Sequence, residues 1–127
     1  MVKNYSPDEK FLTQEFTLKR DELGDWLTDA MWEGLKDCFR TPICEEMTCG
    51  KDIGYERVDI GYERVVGFVR TLYVDPENNF VTFEGLFWPK YSSKTKEEWN
   101  NIKLSKVCFY GAEEKNPIKI PVSCFTV

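Results

Sequence analysis

The 127-residue chain contains no histidine. That absence removes the commonest general base, every Ser-His or Cys-His nucleophile pair, and the commonest metal ligand. Equally missing are a GxGxxG loop, a phosphate-binding GxxxxGK loop, a CxxC knuckle and a calcium loop of the DxDxDG kind. An enzyme is therefore not expected, and no cofactor is assigned. No run of about 18 apolar residues occurs, and Met1 to Asp8 hold no signal-peptide core. A cytoplasmic protein without a membrane span is expected. No Pro, Ser or Gly tract marks a linker or a disordered arm.

Apolar residues make up 42% of the chain and aromatics 15%, enough for one core and too little sequence for two. One compact domain over 1–127 is expected, with residues 1–8 fraying. Five cysteines without a secretory signal read as buried thiols. Cys38, Cys44 and Cys49 could offer three thiolates to zinc, but they lack the usual knuckle and a fourth ligand, so no metal is assigned.

The net charge of -5 arises wholly in residues 1–50, which hold 6 Lys/Arg against 11 Asp/Glu, while the remainder balances 11 against 11. Such a surface repels a phosphate backbone and attracts a basic partner, so neither DNA nor RNA is expected.

Leu23, Trp26, Leu27, Ala30, Met31, Leu35 and Cys38 fall within roughly 150° of arc at helical spacing. A long helix over 21–39 is predicted, with Asp25, Asp29 and Glu33 on its outer, acidic face and Pro42 ending it. Trp32 lies about 140° from Leu27 on that wheel, either as a contact anchor among the acids or covered by another segment.

Residues 11–19 suggest a short first strand, and Arg40 to Lys51 reads as a loop. Val65 to Val74 and Phe80 to about Tyr91 predict a hairpin joined by Asp75-Pro76-Glu77-Asn78-Asn79, where Pro presets one dihedral and Asn tolerates a left-handed one. Pairing Val74 with Phe80 places Arg70 opposite Glu84, Phe68 opposite Leu86, and Phe87 over Gly67. Thr95 to Glu98 fits a capping box before Trp99. Strands over Ile102–Tyr110 and Ile118–Thr126 close the chain, the last an edge strand because of Pro121.

The expected fold class is α+β: one long amphipathic helix on a twisted antiparallel sheet of four to five strands, with one extra helical turn. Its outline resembles cystatin-like helix-on-sheet modules, and no motif ties it to a family.

A tandem heptad, Asp52 to Val58 and Asp59 to Val65, precedes the hairpin. Seven is odd, so in one flat strand the two copies would face opposite sides. The second copy is predicted to begin the central strand and the first to form a bulge, turn or edge segment.

The function these features favour is a non-catalytic binding protein, of the stoichiometric inhibitor, immunity or anti-defence type. Asp25, Asp29 and Glu33 would steer a basic macromolecule and Trp32 would anchor it. The alternative is capture of a small anionic, nucleotide-like ligand by Tyr55, Arg57, Arg64 and Arg70, since guanidinium and aromatic groups hold phosphate and base. A phage or cell structural subunit is a further alternative, and a homo-oligomer is compatible with each.

Overall fold

The structure, a computed structural model, describes residues 11–45, 64–92, 94–110 and 116–127. These form a six-stranded sheet curled into a mixed half-barrel. Its strands are β1 (Leu12–Lys19), β2 (Pro42–Glu45), β3 (Arg64–Asp75), β4 (Phe80–Phe87), β5 (Lys106–Phe109) and β6 (Val122–Thr126). Their order is β1-β4-β3-β2-β6-β5, antiparallel throughout except for the parallel pair β2 and β6.

The expected α+β arrangement, and with it the cystatin-like outline, is wrong. Instead of one helix over 21–39, the chain makes α1 (Arg20–Leu23) of four residues and α2 (Asp29–Leu35) of seven. Gly24 causes the break, because its φ of 116° leaves the helical region and suits only a residue without a Cβ. Thr28 then starts a new helix, its Oγ1 accepting from the Met31 N–H at 3.2 Å. The apolar spacing is real, since Leu23, Trp26 and Leu27 pack against the core, but two of these side chains do so from a loop.

The segment read as a loop after the helix contains β2, whose Ile43, Cys44 and Glu45 are buried. Burial on both faces removes the alternation by which a strand is recognised. Pro42 stands at the strand's first residue, where its missing N–H is tolerated. Pro121 misled in the opposite direction, since it precedes β6, which lies inside the sheet with all five residues buried.

The hairpin forms with the predicted turn: Asp75 Oδ1 accepts from the N–H groups of Glu77 and Asn78, each at 3.0 Å, and Asn79 takes φ 52°. At its open end the register agrees with expectation, Gly67 facing Phe87 and Phe68 facing Leu86. A bulge between Val69 and Thr71 then shifts the pairing by one, so Thr71 rather than Arg70 faces Glu84 and Asp75 faces Phe80. Arg70 still reaches Glu84, Nε to Oε1 at 3.5 Å.

The core fills the concave side. Phe83 of β4 and Phe125 of β6 stack across it at 4.9 Å, and Phe16 meets Phe83 at 5.4 Å. After a 3-10 turn at Pro89–Tyr91 comes α3 (Lys96–Asn100), which delivers Trp99 to within 5.2 Å of Phe87. The expected capping box is present, Glu98 N–H donating to Thr95 Oγ1 and Thr95 N–H to Glu98 Oε1, both at 3.2 Å. Gly67 and Gly85 allow Phe87 to lie flat against the sheet, since a Cβ on either would fall under 3.0 Å from its ring.

No helix among the described residues is long and apolar enough to cross a membrane.

Candidate interaction surface

A group of exposed charges lies where β1 hands over to the two helices. β1 ends at Lys19, and the Arg20 N–H donates to the Asn79 carbonyl at 2.9 Å. That bond pins the helical rim to the tip of the β3–β4 hairpin. Leu23, Trp26 and Leu27 then turn inward, Trp26 meeting Phe109 edge-on at 6.4 Å. Their burial leaves the intervening polar residues outside, so Asp21, Glu22, Asp25 and Asp29 are all exposed within nine residues of chain.

Two cations answer this acid group. The Arg20 guanidinium is ion-paired with Asp29 Oδ1 and lies 6.0 Å from the centre of the Trp32 ring. Lys19 reaches Glu22 at 4.0 Å, on the surface where such a pair contributes little. Between the rim and the hairpin tip lies an open cleft of about 480 Å³, lined by Arg20, Asp21, Gly24, Asp25, Leu27, Asn78 and Asn79. Carboxylates, side-chain amides and one guanidinium suit it to a polar or cationic group rather than an apolar one.

The four residues assigned to partner binding do not share a helix face. Asp25 lies in the loop between α1 and α2, Asp29 opens α2 in its pair with Arg20, and Glu33 pairs with Lys36 at 2.5 Å. Trp32 is 3% exposed, so of its two readings the covered one describes its position. Its place in the core follows from the break at Gly24, which gives α2 its own orientation. Arg20, Asn78 and Asn79 were not among the assigned residues, and only the turn chemistry of the asparagines could have drawn attention to them.

Of the alternative ligand set, Tyr55 and Arg57 lie outside the described residues, as do the first heptad and nearly all of the second. Arg64 begins β3 in register with Glu45 of β2. Arg70 sits at the bulge and is engaged by Glu84, so the set is not brought together among the described residues.

The described cysteines, Cys38, Cys44, Cys108 and Cys124, are buried thiols. Burial pushes the Cys38 thiol up to about 12, which keeps it protonated and unreactive. Among the described residues no three acidic or thiol groups converge as a metal site would require.

Compared with protein-family models, curated proteins and solved structures, the chain matches none.

Proposed function

We propose that the protein is a non-catalytic binding protein that occupies a macromolecular partner with a basic surface, as stoichiometric inhibitors and immunity or anti-defence proteins do. The observation that carries this reading is the exposed group of Asp21, Glu22, Asp25 and Asp29 on a rim fixed to the hairpin tip. The acidic helix face expected from the sequence is thereby replaced by an acidic corner. Such a corner raises the rate at which a basic partner arrives, and a lysine or arginine of that partner fits the cleft between Asp21, Asp25 and the two asparagines.

Photo-crosslinking from position 25 in producing cells, with exposed position 65 at the far end of β3 from the hairpin tip as the control, identifies the partner. Its association is then followed by stopped flow. A saturable one-to-one complex is expected, with an association rate that falls about tenfold or more between low and high salt. The triple reversal D21K/D25K/D29K should lower the low-salt rate by a similar factor. A rate indifferent to salt and to the reversal overturns the proposal.

A further inference from the structure

Cys108 of β5 and Cys124 of β6 are register partners, directly opposite each other in an antiparallel pair. Directly opposed residues carry their side chains on the same face, with Cα atoms about 4.5–5.5 Å apart. A disulfide spans Cα separations of about 4.4–6.8 Å, so the pair can be bridged without moving either strand far. Both thiols are buried, at 2% and 0% exposure. The other two described cysteines are placed differently: Cys44 faces Thr126 rather than Cys124 across the β2–β6 pair, and Cys38 follows α2.

We infer that Cys108 and Cys124 form a redox-sensitive latch that fastens the edge strand β5 to β6. β5 has four residues and stands at the end of the strand order, paired among the described residues only with β6. A short edge strand opens locally at much lower cost than the whole fold, and that opening exposes Cys108 to a low-molecular-weight disulfide. Its thiolate attacks one sulfur of that disulfide and expels a thiolate. The Cys124 thiolate then attacks the Cys108 sulfur of the mixed disulfide and expels the second. Two protein thiols and one small disulfide thus become one protein disulfide and two small thiols. The product closes the chain between β5 and β6 and removes the opening that allowed its formation.

The test treats the folded protein with oxidised glutathione, quenches with acid and digests with trypsin. Cleavage after Lys106, Lys115 and Lys119 puts Cys108 on peptide 107–115 and Cys124 on peptide 120–127, apart from every other cysteine. The expected product is 2 Da lighter than the reduced protein, joins those two peptides, reverts with dithiothreitol, and unfolds about 5–10 °C higher. Hydrogen exchange in β5 slows with it. Linkage to a different cysteine, a glutathione adduct that does not resolve, a lower unfolding temperature, or linkage only in denaturant each overturns the inference.

Discussion

The two halves of the sheet are built on different principles. In β1, β4 and β3 the strands run to eight, eight and twelve residues, and β4 alternates strictly between buried and half-exposed positions. In β2, β6 and β5 the strands have four or five residues and bury almost every one of them, Glu45, Ser123 and Thr126 included. The first half therefore presents one face to solvent and tolerates change there. The second is enclosed on both faces, so its stability rests on whatever covers the outside. α2 leans on the chain entering β6: Ile120 N–H donates to the Ala30 carbonyl at 2.9 Å, and Gly34 meets the Ile120 carbonyl.

The largest effect expected from breaking this difference is at Gly34. A Cβ there would sit 1.8 Å from the Ile120 oxygen and 2.8 Å from its carbon, both backbone atoms that cannot swing aside. Alanine is favoured over glycine in a helix by about 1 kcal/mol, so propensity alone predicts stabilisation. The clash outweighs it. Gly34→Ala should lose about 3 kcal/mol or more, seen as a lower urea midpoint, and β6 and β5 should lose protection from exchange before β1 and β4 do. A midpoint at or above that of the wild type would mean that α2 does not clamp the enclosed half.

A smaller effect sharpens the comparison by placing the same charge in each half. Ser123 of β6 is 3% exposed, whereas Thr82 of β4 points outward, its hydroxyl 3.0 Å from that of Thr17. Ser123→Asp buries a carboxylate and should cost about 3 kcal/mol or more. Thr82→Asp keeps its charge in water and should cost about 1 kcal/mol or less. Equal losses in urea melts would remove the distinction between the halves.

This contrast also explains what could be read from the residues alone. The hairpin was legible because both of its strands are rich in β-branched and aromatic residues and its turn carries Pro76, Asn78 and Asn79 in the roles their chemistry suits. The bulge at Arg70 was not, since the β3 sequence has no apolar–polar alternation whose change of phase would reveal one extra residue. β2 was illegible because an enclosed strand of four residues, with a proline at its start and a buried glutamate at its end, shows no period. The helix failed for another reason. Apolar residues at helical spacing pack inward whether or not the helix is continuous, and the spacing concealed Gly24 and Thr28, the two residues that end one helix and begin the next. Acid in the first half of the chain was visible as charge. Its gathering into a corner was not, because that depends on Arg20 bonding Asn79 at the end of the β1–β4 ladder.

The smallest expected effect is a titration that belongs mostly to the open half. Side-chain and backbone N–H groups of Asn78, joined by the Glu77 N–H, hold the Asp75 carboxyl below its ordinary value, and the Thr95 N–H and hydroxyl do the same for Glu98. A carboxyl lowered by folding stabilises the native state above its unfolded pKa, near 4, and that contribution fades as pH falls through the folded value. Glu98 is exposed and Asp75 only partly covered, so water screens both and the change is small beside Gly34→Ala. Asp75→Asn and Glu98→Gln should each flatten the dependence of the unfolding midpoint on pH below about 5, while leaving β5 and β6 exchange unaltered at neutral pH. If the flattening were absent, the hydrogen bonds at the hairpin turn and the α3 cap would not favour the ionised carboxyls. Exchange that rose in β5 and β6 instead would tie the enclosed half to the hairpin tip, and the two halves would have to be treated as one cooperative unit.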